Sequence, residues 1–181
     1  MQAVRPEKSI RRPSTGEEPV SGRYCTDANI FIECWNRIYP LAVFPSLWEK
    51  IARHQNDIIL IKPIYDQVVP KDRRNREKDP LSIWLGKNHF IKTPIDNETK
   101  RLSLQLEAKY QITDQSKGVD QEDLTLIAYA KIENKTVVTL EGQQDQKPRE
   151  KRNYKIPLVC SEEGIPCVNF IEMIKDFGIV I

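Results

Sequence analysis

Hydrophobic positions along the chain gather into short blocks separated by charged stretches, and two spacings alternate between them. Tyr24–Asp27, Ile58–Ile61, Thr136–Thr139 and Pro166–Phe170 are brief apolar or β-branched runs. Runs this short, bounded by turn residues, read as strands of a parallel sheet buried on both faces. Between them the apolar residues recur at helical spacing. Ala28–Trp35 follows the first strand, and Leu47, Trp48, Ile51 and Ala52 share one face of a helix from Pro45 to about His54. Ile64–Val69 follows the second strand, then Leu81–His89. Thr99–Ile112 carries Leu102, Leu104, Leu106 and Tyr110 in a mixed pattern, helical but partly strand-like. Asp120–Glu133 is a strong helix, with Leu124, Ile127, Ala128 and Lys131 at helical spacing. A short helix lies within Ile156–Gly164, and a last one, Ile171–Phe177, stops at Gly178, where a helix end favours glycine. Strand and helix alternating in this way predict an α/β fold with a mainly parallel sheet.

The polar stretches set the domain limits. Met1–Gly22 is basic, holds Pro6, Pro13, Gly16, Pro19 and Gly22, and reads as a disordered arm before one domain, 23–181. Two long loops are basic: Pro70–Pro80, with Lys71, Arg73, Arg74, Arg76 and Lys78, and Gly142–Lys155, with Lys147, Arg149, Lys151, Arg152 and Lys155. Asp114–Gly118 is a polar linker. Lys and Arg number 28 against 26 Asp and Glu, so the net charge is +2 and any basic surface is local. No apolar run is long enough to span a membrane and the first residues lack a signal-peptide core, which points to a cytoplasmic protein. Cys25, Cys34, Cys160 and Cys167 form no CxxC pair and read as reduced thiols; with only His54 and His89 beside them, zinc is not expected.

Candidate chemistry lies where strands end, because ligands of such sheets bind at the carboxyl ends of the strands. Asp27 follows the first run, Glu141 follows the third, and Asp123 opens the helix before it; Asp66 is a further candidate. Read blandly, Asp27 is a helix cap. Read together, carboxylates from separate segments, without His or Cys, are ligands for Mg²⁺ or Mn²⁺. Clustered acids repel each other, which is costly unless a cation sits among them. The basic loops would supply the counter-charge for a polyanion, so metal-dependent phosphodiester hydrolysis fits.

Several stretches carry a family resemblance. Tyr24-Cys25-Thr26-Asp27-Ala28-Asn29-Ile30-Phe31-Ile32, Asn36–Pro40, Ile64–Val68, Asp123–Ala130, Thr136–Glu141, Lys155–Cys160 and Ile165–Asn169 resemble the PIN-domain superfamily, in order, over residues 23–178. More narrowly they resemble a bacterial PIN-like subfamily of formerly unknown function, related to the VapC toxins. The resemblance implies a three-layer α/β/α sandwich and a Mg²⁺- or Mn²⁺-dependent endoribonuclease of a toxin–antitoxin pair. It implies Asp27, Asp123 and Glu141 as metal ligands, with Asn29 and Thr139 as polar neighbours that orient them. Phosphate contacts would come from Arg73, Arg74, Arg76, Lys151 and Arg152. RNA, a small antitoxin protein and a second copy in a homodimer are the partners it implies. One position departs from the pattern: Gln67 stands where the subfamily has Glu, leaving Asp66, Gln67 or Asp120 to complete the site. The alternative is therefore a catalytically weakened PIN-like module that binds RNA or a protein.

Overall fold

A computed structural model describes residues 22–90, 92–110 and 118–180, apart from the side chain of Arg73. The arm at 1–21 and most of the linker, 111–117, lie outside the described residues. Among the described residues, five parallel strands form one sheet in the order β3-β2-β1-β4-β5: β1 (Tyr24–Thr26), β2 (Ile58–Ile61), β3 (Lys92–Thr93), β4 (Thr136–Thr139) and β5 (Cys167–Asn169). β1 pairs with β2 through Tyr24–Ile58 and with β4 through Tyr24–Thr136. Every residue of β1 and β2 is buried, as is β4 after Thr136. A sheet covered on both faces needs helices on both, which is the three-layer α/β/α arrangement.

The helices are α1 (Ala28–Glu33), α2 (Pro45–Arg53), α3 (Lys62–Val68), α4 (Arg73–Arg76), α5 (Pro80–Lys87), α6 (Asn97–Tyr110), α7 (Gln121–Ile132), α8 (Ile156–Glu163) and α9 (Phe170–Asp176). Helix α1 runs on as a π-helical turn over Cys34–Ile38, where an unbroken α-helix to Trp35 was expected. Trp35, Trp48 and Trp84 meet behind it, with ring centroids 5.0–5.5 Å apart, and the Trp48 indole N–H donates to the Tyr39 carbonyl at 2.7 Å. The indole cluster thus fixes the chain just before the two-proline segment Pro40–Pro45.

Three differences from the sequence reading have simple causes. The edge strand β3 is only Lys92–Thr93, too short to show alternation. Within α6 the buried stripe is Thr99, Ser103, Leu106 and Tyr110, a regular helical spacing, while Leu104 is 62% exposed. Hydroxyls at two core positions made the stripe look mixed; Ser103 and Thr125 of α7 share a 2.8 Å hydrogen bond there. Gly22, expected in the arm, is buried: a β-carbon on it would lie 2.3 Å from Ile59 Cγ1.

The chain builds outward from β1 through β2 to β3, then crosses back over α6 and α7 to β4 on the other side of β1. The order therefore reverses between β1 and β4. The carboxyl ends of those strands flank the topological switch point, where open α/β sheets place their ligands.

Candidate active site

Asp27 follows β1 at this point. Its backbone N–H donates to the Val138 carbonyl at 2.9 Å, so the ladder to β4 continues through it. Its side chain caps α1, accepting from the Asn29 backbone N–H at 3.4 Å, and the residue is only 2% exposed. A buried carboxylate without a cation is expensive. Burial pushes its carboxyl above the ordinary range, against the hydrogen bonds of Asn29 and Thr139, and the charge of Asp120 pushes it further.

Thr139, the last residue of β4, joins two of the acids. Its hydroxyl donates to Asp27 Oδ2 at 3.2 Å and accepts the Glu141 backbone N–H at 3.2 Å. Glu141 follows on the loop, and its Oε2 accepts the Ile156 N–H at the start of α8 at 2.6 Å. Burial raises its carboxyl too; Asp27 and Asp120 add to the rise, while the Ile156 N–H and the Lys155 ammonium oppose it.

Asp120 and Asp123 arrive together at the start of α7 in a capping box. Asp120 Oδ1 accepts the Asp123 N–H at 2.9 Å and Asp123 Oδ2 accepts the Asp120 N–H at 3.2 Å. The reciprocal pairing satisfies two orphan donors, but it also sets two carboxyls side by side. Asp123 is held well above the ordinary carboxylate range, first by burial and then by the charges of Asp120, Asp27 and Glu141. Three segments thus bring Asp27, Asp120, Asp123 and Glu141 within electrostatic reach of one another.

This donor set is all oxygen and mutually repulsive, which suits a hard divalent cation. Among the described residues, no group of three or more His, Cys, Asp or Glu side chains stands in a metal-enclosing arrangement. Backbone N–H groups engage one oxygen of Asp120, Asp123 and Glu141. A carboxylate has a second oxygen to offer a ligand.

Other expected site residues fall elsewhere. Asn29 is exposed, and it is its backbone that touches Asp27. Asp66 is held by two lysines, Lys62 at 2.6 Å and Lys92 at 2.5 Å, and these lower its carboxyl despite partial burial. Gln67 is exposed on α3. Of the basic candidates, Arg76 donates to the carbonyls of Pro70 and Lys71 in its own loop, and Arg152 pairs with Glu150. Arg74 and Lys151 are exposed; the side chain of Arg73 lies outside what is described.

Lys155, expected only as one of the basic loop residues, is the cation whose charge reaches Glu141. Sequence reasoning missed Gln144 altogether. Gln144 clamps the long loop, its amide donating to the Asn153 carbonyl and accepting the Lys155 N–H, both at 2.9 Å. One polar side chain among many in a glutamine-rich loop carries no signal for such a role.

A parallel α/β/α sandwich with carboxylates at its switch point is the arrangement that the family resemblance implies. The chain belongs to the family described as "Domain of unknown function (DUF4411)", whose model matches residues 24–181. Among solved structures it is similar to VapBC2 from Rickettsia felis, solved bound to a DNA fragment from their promoter, at 18% identity and a TM-score of 0.45. That match covers 81% of this chain and 98% of the other. FitAcB from Neisseria gonorrhoeae is similar at 14% identity and a TM-score of 0.45, over 81% of this chain and 96% of its own. No curated protein matches. Among the described residues no helix is long and apolar enough to cross a membrane.

Proposed function

We propose that this protein is a Mg²⁺- or Mn²⁺-dependent endoribonuclease of the toxin type, neutralised by a small antitoxin protein. The observation that carries the reading is the meeting of Asp27, Asp120, Asp123 and Glu141 at the switch point, where burial and neighbouring charge raise the carboxyls of Asp27, Asp123 and Glu141. Asp27, Asp123 and Glu141 would hold the cation, with Asp120 as the fourth acid. When bound, such a cation supplies an activated water and charge neutralisation for phosphodiester hydrolysis.

The chain's own residues do the rest. Thr139 fixes the Asp27 carboxylate relative to the Glu141 backbone, so two acids from different strands keep one spacing. Lys155 offers a phosphate oxygen a positive charge beside Glu141, and its backbone is held by Gln144. Arg74 and Lys151 offer exposed charge to the flanking phosphates.

The test is cleavage of total bacterial RNA by purified protein in Mg²⁺, Mn²⁺ or EDTA, beside Asp27→Asn. Cleavage that needs the metal and disappears in Asp27→Asn is the expected result. A folded protein that cleaves in neither metal would favour a second reading, a module that binds RNA or a protein without cutting it. Gln67 favours that reading, because a neutral amide stands where the resemblance has an acid and Asp66 is tied to lysines instead. Under it, Gln67→Glu creates activity; with Asp120 completing the site, Gln67→Glu changes the rate little and Asp120→Asn removes it.

A further inference from the structure

Beside the acids lies a cavity of about 230 Å³, between the carboxyl ends of β4 and β5, that the reading above does not use. Thr139 and Glu141 belong both to its lining and to the acidic site. Leu140, Pro157 and Val168 give it aliphatic walls, and Gln143, Asn169 and Glu172 give it polar groups. Two of these are locked. Asn169 Oδ1 accepts the Glu172 N–H at 2.9 Å, and Glu172 Oε2 accepts the Asn169 N–H at 2.8 Å. That pairing leaves the Asn169 amide NH₂ as a donor and the second Glu172 oxygen as an acceptor. Gln143, exposed on the loop, carries both kinds of group.

Apolar walls with fixed donors and acceptors suit a flat ring whose edge carries the complementary pattern. Splayed-out bases of single-stranded RNA are read in this way, by hydrogen bonds along the edge. The cavity is below the roughly 300–1,000 Å³ that accommodates drug-sized ligands, so it takes one ring rather than a whole dinucleotide. We propose that it is a nucleobase subsite, receiving the base of the nucleotide next to the phosphate cleaved beside Asp27, Asp123 and Glu141. The proposal rests on the ribonuclease reading and adds to it a choice of cleavage site by base identity.

Gly142 belongs to the cavity lining, so bulk added there obstructs it. A β-carbon there meets nothing within 4 Å, so Gly142→Leu adds bulk without a clash at its first atom. Gln143→Ala, at an exposed position, removes a reading group and guards against a folding failure in the first variant. Cleavage products of total RNA made with Mn²⁺ are sequenced for the wild type and both variants, with melting temperatures as the check on folding. In parallel, binding of fluorescein-labelled homopolymeric A, C and U oligonucleotides is measured in EDTA. The wild type should favour one base beside the cleaved bond, and one homopolymer over the others, by on the order of tenfold. Both preferences should flatten in Gly142→Leu and weaken in Gln143→Ala. Equal use of all bases by the wild type, or a preference that survives in both variants, overturns the subsite. If no RNA is cut at all, the ribonuclease reading fails, and the binding arm still decides whether the cavity distinguishes bases.

Discussion

Asp123 shows most directly what the site costs the protein without a cation. Its carboxyl is raised by burial and by three neighbouring acids, so its ionisation opposes folding. The sign follows: with the folded value above the ordinary one, the stability is present at low pH and is lost as pH rises above the usual carboxylate range. Asp123→Asn cannot ionise, yet its amide oxygen still accepts the Asp120 N–H. In EDTA at pH 8 the variant should melt about 2–4 °C above the wild type, and at pH 5 the gap should narrow. Mn²⁺ should raise the melting temperature of the wild type more than that of the variant. Identical pH profiles for the two proteins would show that the acids do not burden the fold. Asp27, Asp123 and Glu141 were legible in the sequence because each stands where a strand ends or a helix begins, and chain direction alone takes such positions to one sheet edge. Thr139 was expected only through the family resemblance. Asn29 was read as a side chain that orients Asp27, but a cap is served by the backbone N–H two residues on. No sequence pattern distinguishes those two roles.

Helices α6, α7 and α8 illustrate a different kind of legibility. Their existence follows from periodicity, but their fastening does not. Glu163, at the end of α8, accepts from Lys109 at 2.7 Å and Tyr110 at 2.6 Å of α6, and pairs with Lys131 of α7 at 2.6 Å. Its side chain is 8% exposed. Burial alone would raise its carboxyl, but the two ammonium groups and the phenol outweigh burial and hold it at about 2. A lowered folded value contributes stability above the ordinary value of 4.5, and that contribution is lost as pH falls toward about 2. Glu163→Gln should therefore destabilise the protein at pH 7 by about 1–2 kcal/mol, since hydrogen bonds to a charged group are strong but the lysines are half in water. Denaturant unfolding at pH 7 and at pH 3 checks this: the two proteins should converge at the lower pH. Three partners from two other helices cannot be inferred from one glutamate near a glycine. The same limit hid the 151–153 turn, whose Lys151 carbonyl and Arg152 Cα would lie 3.0 and 3.2 Å from a β-carbon on Gly118. Gly118 has φ +84°, so the close approach and the backbone both select glycine there.

For the molecule as a whole, charge is divided rather than excessive: four acids meet at the carboxyl ends of β1 and β4, while the cations are spread over helices and loops. The strand order that places them so, with its reversal between β1 and β4, depends on a long crossover through α6 and α7 that hydropathy does not specify. Nor does the sequence show which basic residues remain available to a polyanion. Arg76, Lys147 and Arg152 are engaged with a carbonyl or a carboxylate of the chain itself, whereas Arg74, Lys151 and Lys155 stand exposed. An RNA strand held by those three releases few counterions. With about 0.7 of a counterion per phosphate contact on single strands, log Kd against log salt should have a slope near 2. Measured by anisotropy in EDTA, where cleavage cannot intervene, Lys155→Gln should lower that slope by about 0.7. Arg152→Gln should lower it less, because its guanidinium already faces Glu150. A slope near zero would mean that the loops do not hold RNA phosphates. A slope several times steeper would mean that cations now tied within the chain are released when RNA binds, so that the 142–155 loop rearranges around its ligand.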